Sequence, residues 1–234
     1  MIVVADGPQL LLVTQNDHAH FSGELLSLWR ADDLPENPRR DDIVFAARQH
    51  DNGWREADAA PRVNPATGEP HGFLDLPAEH RIEVWRRGVR RYRDQRPYAA
   101  LLIHEHALAL HRAFGSGEEH AGLVAEVEAS RAELLEQTGA DEAMLLADYP
   151  LVRLTDLLSL VACRCFPGER EHAGRRFWRD GDALVIEPLP LAGATRFRIP
   201  CRRLERRSYA GDADLAGALA AARWEDLEVI VRYA

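Results

Sequence analysis

Apolar and polar residues follow a helical period over most of the first 167 residues of this chain. The pattern predicts a helix from Asp17 onward and further helices at residues 43–49, 79–92, 98–114, 123–137 and 142–165. Before them, two short apolar runs, 2–5 and 10–14, flank a turn at Asp6-Gly7-Pro8. Such a pair of runs around a turn predicts an N-terminal β-hairpin.

After Pro167 the pattern changes to short extended segments. It predicts strands at 177–179, 183–187, 195–199, 204–209 and 227–233, with a helix at 214–223. The sequence therefore predicts a mainly α fold, or α+β overall. A helical domain with the hairpin would span 1–167, and a small β-rich extension, 168–234, would pack on it. A lone hairpin is marginally stable, so the hairpin could pair with this extension.

Residues 52–78 form a long connection punctuated by glycine and proline. A connection of this length without its own periodicity is usually functional or disordered. Its aromatic residues Trp54 and Phe73 favour an ordered loop.

The composition excludes several kinds of chemistry. All 29 basic residues are arginine, against 38 acidic residues, and the formal net charge is −9. Without lysine there can be no P-loop and no Schiff-base enzyme. The six serines include no G-x-S-x-G motif, which argues against a serine hydrolase. The acidic balance argues against general nucleic-acid binding.

The cysteines and the apolar runs bear on location. Cys163, Cys165 and Cys201 form no CxxC pair, which favours a reduced compartment. The N-terminus has no basic region typical of a signal peptide, and no apolar run approaches about 18 residues. We therefore expect a cytoplasmic protein without a membrane segment.

Candidate metal ligands occur as an ordered series along the helical part. The series is His18, His50-Asp51, His80, His106 and Asp156. Asp156 lies in an apolar helix, where a buried carboxylate needs a cation or several donors. Alternatively, Asp156 could share a solvent-facing side of the helix with Arg153 and Ser159, and His50-Asp51 could be an exposed helix end.

His18 and His106 each have a second histidine two positions away, His20 and His104 respectively. On a helix, residues two positions apart point to opposite sides. His18 is preferred over His20 because Leu25 and Trp29 continue its side of the helix. His106 is preferred over His104 because it shares an apolar stripe. For either residue alone, a satisfied core histidine remains an alternative. Taken alone, the position of His80 at the start of a helix predicts an exposed histidine.

The H…HD…H…H…D series resembles the HD-domain superfamily of metal-dependent phosphohydrolases. The whole chain also resembles the family named domain of unknown function 3891, most clearly at residues 17–23 and 49–54. The first resemblance implies an HD-like helical bundle. The second brings no assigned activity.

The superfamily resemblance also implies a role for each residue. A first cation would be held by His18, His50, Asp51 and Asp156. Asp51, the candidate catalytic residue, would bridge to a second cation held by His80 and His106. Such nitrogen and oxygen ligands suit one or two ions of Fe, Mn, Zn, Ni or Co. Candidate substrate-binding residues are Arg55, Arg86, Arg87, Trp54 and His104.

These features predict a metal-dependent hydrolase of a small phosphate ester or nucleotide, using a metal-bound hydroxide. Residues 111–115 lack the Gly-Tyr-Pro signature of cyclic-dinucleotide phosphodiesterases, which argues against that substrate. Two alternatives remain. The same ligand order could hold two irons in an oxygenase, or the scaffold could be a non-catalytic ligand-binding or sensor module.

Overall fold

A computed structural model of the protein describes residues 1–32 and 34–234. About half of the chain is helical, and a seven-stranded curled sheet shaped like a half-barrel accompanies the helices. The helices are α1 (Gln15–Ser27), α2 (Arg40–Gln49), α3 (Arg55–Ala59), α4 (Ala78–Arg91), α5 (Pro97–Phe114), α6 (Glu118–Thr138), α7 (Glu142–Ala162) and α8 (Asp212–Ala221). Single 3-10 turns occur at Leu34–Glu36 and Asn52–Trp54.

The seven strands come from both ends of the sequence. They are β1 (Ile2–Asp6), β2 (Gln9–Val13), β3 (Arg170–His172), β4 (Arg175–Asp180), β5 (Ala183–Glu187), β6 (Thr195–Glu205) and β7 (Trp224–Arg232). Their order across the sheet is β1-β2-β6-β7-β5-β4-β3. All neighbouring pairs are antiparallel except β5 and β7, which are parallel. The N-terminal hairpin pairs with the C-terminal strands through β2 and β6, with Leu11 opposite Arg203.

The prediction of a mainly helical, HD-like bundle with a small β extension was wrong. The two N-terminal strands and the five C-terminal strands form one large sheet, and the fold is α+β. The local hydrophobic period of a segment does not indicate which strand, almost 200 residues away, it will pair with. The division into residues 1–167 and 168–234 stays a prediction, although one buried core contains residues from both parts, among them Phe21 and Phe197.

Pro200 explains why one strand was predicted as two. The sequence predicts strands at 195–199 and 204–209, whereas β6 runs unbroken through Pro200. A proline lacks the N–H that a central strand normally donates. Here β2 pairs with β6 only from Arg202 onward, so one side of β6 has no neighbouring strand at Pro200.

The sheet separates two apolar clusters. On β2, Leu11 contributes to the main core between sheet and helices, whereas Leu10 and Leu12 contribute to a smaller cluster with α8. This alternation follows from the two-residue period of a strand. In the main core α1 and α7 contact each other, α2 contacts α1, α5 and α7, and α5 contacts α7. Among the described residues, every helix is too short or too polar to cross a bilayer.

Candidate metal centre

Five buried polar side chains meet where these helices converge. They are His18 on α1, His50 and Asp51 at the end of α2, His106 on α5 and Asp156 on α7. They form two groups, His18–His50–Asp51 and His50–His106–Asp156, in each of which the ligand atoms lie within 4.8 Å of one another. Each group could hold a metal ion.

Two glycines allow the elements that carry these residues to approach closely. A Cβ on Gly23 of α1 would lie 2.4 Å from the Cβ of Arg48 on α2. A Cβ on Gly53 would lie 2.0 Å from the carbonyl oxygen of Val84 on α4. Because Gly53 comes two residues after Asp51, its close packing on α4 fixes the backbone that carries this carboxylate.

The partners of His18 define which of its ring nitrogens carries the proton. The Ser159 hydroxyl donates its only hydrogen to the Asp156 carbonyl oxygen at 2.6 Å. It must therefore accept from Nδ1–H of His18, at 2.8 Å. In the neutral ring Nε2 then carries a lone pair, and it lies 2.9 Å from Oδ2 of Asp51.

His50 has the same arrangement. Its Nδ1–H donates to the carbonyl oxygen of Ala47 at 2.8 Å, and its Nε2 has no hydrogen-bond partner although it is buried. This Nε2 lies 3.4 Å from Oδ1 of Asp156 and 3.7 Å from Oδ2 of Asp51. Metal-binding histidines typically donate their other N–H to such an acceptor, which fixes the ring and its tautomer. The residues present therefore fit a metal ion.

The charged side chains of the cluster shift one another's pKa values. Burial by itself lowers the pKa of His50, but Asp51 and Asp156 outweigh it and raise this pKa to about 9. Burial raises the pKa of both carboxyls, yet the neighbouring histidines overcome this, and both pKa values end below the ordinary range. The carboxylates therefore stay ionised, and a positive charge must balance them, as either a proton on His50 or a bound cation.

Arg153 and His106 complete the surroundings of Asp156. Arg153 contacts Oδ2 of Asp156 at 2.6 Å, while Nε2 of His106 lies 3.8 Å from the same oxygen. Nδ1 of His106 is buried without a partner. Burial, followed by the nearby His50, lowers the pKa of His106 to about 3, so this ring is neutral near pH 7.

A cavity of about 460 Å³ opens beside the cluster and is lined by four of its members, all except His50. Its walls are mainly apolar and include Trp85 and Phe166. Several buried polar atoms of lining residues have no hydrogen-bond partner: Oε1 of Gln15, Nε1 of Trp54, Nδ1 of His106, Nε2 of His111 and Nε of Arg170. Buried polar atoms are normally paired, so these atoms are candidate contacts for a ligand in the cavity.

Three arginines line the same cavity, and they differ in their partners. Arg153 is paired with Asp156. Arg81 and Arg170 have no carboxylate within 4 Å among the described residues. Arg81 donates to the Leu74 carbonyl, and the guanidinium of Arg170 lies 4.5 Å from the ring centroid of Phe166. These two cations are therefore available to an anionic ligand.

His80 does not join the cluster. It lines a different cavity of about 290 Å³, to which Arg87 and Trp54 also contribute, and its Nδ1 lies 3.5 Å from Glu79. His80 lies in the first turn of α4 and is not among the residues that line the cavity beside the cluster. The structure thus brings together five of the six residues that were predicted as metal ligands.

The predicted substrate-binding residues are dispersed. Trp54 lines the cavity beside the cluster, but Arg55 contacts Asn16, Gln49 and Tyr92, and Arg86 pairs with Glu83 and Glu126. Arg87 contacts the Gly53 carbonyl and Glu56. His104 is buried against α6, where it contacts Ser130. His20 is exposed, whereas its neighbour His18 is buried in the cluster.

Several residues of the site were not predicted from sequence. Arg81, Arg170 and Gln15 line the cavity, and they gave no signal beyond their residue type. Arg153 and Ser159 lie three positions on either side of Asp156, so a buried Asp156 would have implied that they contact it. No sequence pattern linked His111 with His120, because they lie on two different helices.

The family whose description is protein of unknown function (DUF3891) matches residues 1–206. The chain belongs to this family. No curated protein and no solved structure matches the chain. Membership of the HD-domain superfamily, which the histidine and aspartate series resembles, is not supported.

Proposed function

We propose that this protein of the DUF3891 family is a metal-dependent hydrolase of a small phosphate ester. One observation carries the proposal. The Nε2 atoms of His18 and His50 both face carboxylate oxygens, while both Nδ1–H groups are held by acceptors. When both rings are neutral, each Nε2 lone pair faces an ionised carboxylate, and this repulsion is relieved either by a proton on His50 or by a bound cation.

The two groups of candidate ligands share His50, and we assign them to a single cation. Nδ1 of His50 is occupied by the Ala47 carbonyl, so this ring has a single lone pair left. A single lone pair binds one ion, and both groups contain His50. We therefore expect one metal ion per chain, held by His18, His50, Asp51 and Asp156 with His106 as a further ligand. Its nitrogen and oxygen donors suit Fe, Mn, Zn, Ni or Co.

The residues around this centre suit ester hydrolysis. A bound divalent cation would polarise the ester and lower the pKa of a water molecule. Asp51 and Asp156 stay ionised because their pKa values are lowered, so they supply negative charge rather than accept a proton. His106 faces the cavity and its pKa is lowered to about 3, so it stays neutral near pH 7 and suits the role of a ligand rather than that of a general base.

The charge of the cavity favours an anionic substrate. Arg81 and Arg170 offer guanidinium groups without carboxylate partners among the described residues, next to a centre that itself needs positive charge. Guanidinium groups match phosphate oxygens in geometry and charge. Because the chain contains no lysine, arginine and a bound cation are the groups available to neutralise a phosphate.

The test combines elemental analysis with an activity assay. Purified protein should contain about one transition-metal ion per chain and should hydrolyse p-nitrophenyl phosphate after loading with Mn²⁺, Fe²⁺, Zn²⁺, Ni²⁺ or Co²⁺. Asp51→Ala should lose both metal and activity, whereas the exposed control His20→Gln should keep both. Protein that binds none of these ions contradicts the metal centre. Protein that binds metal and consumes dioxygen, with no ester hydrolysis, contradicts the hydrolase and favours the oxygenase.

A further inference from the structure

His111 and His120 form a histidine pair in the wall of the cavity. Their Nδ1 atoms are 2.9 Å apart, at hydrogen-bond distance. Both side chains are more than nine-tenths buried, with 8% and 7% exposed, and both line the cavity that also contains the metal cluster. Nε2 of His111 is buried and has no hydrogen-bond partner among the residues that the structure describes.

The pair is placed by α5, α6 and the glycine between them. His111 is in the last turn of α5 and His120 in the first turn of α6. A Cβ on Gly115 would lie 2.8 Å from Nδ1 of His120 and 2.5 Å from the carbonyl oxygen of His111. The absence of a side chain at Gly115 therefore makes room for the contact between the two rings.

Trp85 connects this pair with the metal cluster. Its ring lies edge-on to His111, with centroids 5.6 Å apart, and is tilted against His106 at 5.9 Å. The ring of Trp85 thus lies between the metal cluster, at one end, and the pair, at the other. A ligand that reaches both ends would place a planar or apolar segment against Trp85.

A neutral pair of this kind has defined hydrogen-bonding properties. One Nδ1 must donate and the other must accept. The donating ring then presents a lone pair at Nε2, and the accepting ring presents Nε2–H. Burial, followed by the neighbouring His120 and Arg81, lowers the pKa of His111 to about 4, which keeps this ring uncharged near pH 7. In its neutral form the pair therefore offers one donor and one acceptor at its two Nε2 positions.

We propose that the His111–His120 pair is a specificity-determining subsite, which binds an uncharged donor–acceptor group, such as an amide, at the end of the substrate remote from the phosphate. This inference rests on the proposed function for the position of the phosphate. The substrate class is accordingly a phosphate ester of an aromatic or similarly planar alcohol that carries such a group. An ester with a purely apolar body leaves the free Nε2 of His111 unsatisfied and binds less well.

The first test measures selectivity and depends on hydrolysis. With 4-carbamoylphenyl phosphate and 4-isopropylphenyl phosphate as substrates, we expect wild-type protein to prefer the amide about tenfold in kcat/KM, as one or two neutral hydrogen bonds allow. His111→Phe and His120→Phe should reduce the ratio to about one, and the exposed control His20→Phe should keep it. A wild-type ratio near one, or a ratio unchanged in both variants, would overturn the proposal.

The second test does not need activity. In long-range ¹H–¹⁵N spectra of the histidine rings near pH 7, one ring of the pair should be protonated at Nδ1 and the other at Nε2. Benzamide should shift these resonances, and toluene should not. If benzamide binds wild-type protein but neither Phe variant, while no ester is hydrolysed, the subsite stands and the hydrolase proposal fails. If the Phe variants melt like the wild type and still bind benzamide equally, the subsite is refuted.

Discussion

Nδ1 of His18 donates to the Ser159 hydroxyl at 2.8 Å, and this hydroxyl in turn donates to the backbone carbonyl of Asp156. A single serine thus fixes the tautomer of one proposed metal ligand and contacts the backbone of another. Outer contacts of this kind typically contribute 10- to 100-fold to metal affinity.

Replacing this serine therefore tests the centre without touching a ligand. Ser159→Ala leaves Nδ1–H of His18 buried without an acceptor, and we expect the metal affinity to fall by about 10- to 100-fold. The measurement is competition with a chelator of known affinity. Ser22→Ala is the matched control, because Ser22 is equally buried but contacts only the backbone carbonyls of His18 and Thr155. Equal affinities for both variants would contradict the role of Ser159.

The pKa of His50 predicts how the metal-free protein responds to pH. Its folded pKa, about 9, is above its ordinary value near 6.5, so the stability that protonated His50 contributes is complete below pH 6.5 and is lost as the pH rises through 9. We expect the melting temperature of chelator-treated protein to fall by several degrees between pH 6.5 and 9.5. His50→Gln should remove most of this decrease, and saturation with metal should reverse it, because metal binding requires a deprotonated Nε2.

Local sequence signals predicted individual elements better than their arrangement. The helix at 98–114 was predicted within one residue, and the strand at 183–187 has the predicted bounds. The sequence indicated that the hairpin could pair with the C-terminal extension, and β2 does pair with β6, but the partner strand and the register could not be predicted, because they depend on which segments meet in space. The fold class was wrong because the strands form one seven-stranded sheet, whereas the sequence predicted a small β extension on a mainly helical bundle.

The same distinction applies to the candidate site. The series of histidine and aspartate residues led to the five side chains that the structure brings together, because each lies on the buried side of a helix end or stripe. The role of each as a ligand stays a prediction. His111 and His120 belong to different helices, and only the three-dimensional structure shows that their rings touch.

Gly53 provides a test of how the backbone positions Asp51. In Gly53→Ala the new Cβ would lie 2.0 Å from the Val84 carbonyl oxygen and 2.8 Å from the backbone nitrogen of Gly88, so α4 must move. We expect a loss of about 1–3 kcal/mol in the free energy of unfolding and a weaker metal affinity. Gly217→Ala in α8 is the control, because nothing lies within 4 Å of its Cβ, and it should stabilise the helix by up to about 1 kcal/mol. Denaturant titration measures both, and an unchanged stability in Gly53→Ala would contradict the close contact.

Tyr98 allows a test of stability away from the metal centre. Its hydroxyl donates to Asp148 at 2.6 Å, and this carboxylate, only 1% exposed, also accepts from Arg39 and Asn37. Tyr98→Phe removes one of three donors to a buried charge, which should cost about 1–3 kcal/mol. Metal affinity should stay at the wild-type value. A combined loss of stability and metal affinity would show that the two buried clusters are coupled.

Variants at Arg170 and Arg153 distinguish a role in substrate binding from a role in holding the metal ligands. Arg170 has no carboxylate partner among the described residues, so Arg170→Gln should weaken binding of inorganic phosphate to the metal-loaded protein by about 10- to 100-fold and leave metal affinity unchanged. Arg153 pairs with Asp156, so Arg153→Gln should also change the metal affinity, because it removes the donor that holds Oδ2. Calorimetric titration of each variant, first with Mn²⁺ and then with phosphate, separates the two effects. If Arg170→Gln bound phosphate as tightly as the wild type, the anion would have to be held elsewhere in the cavity.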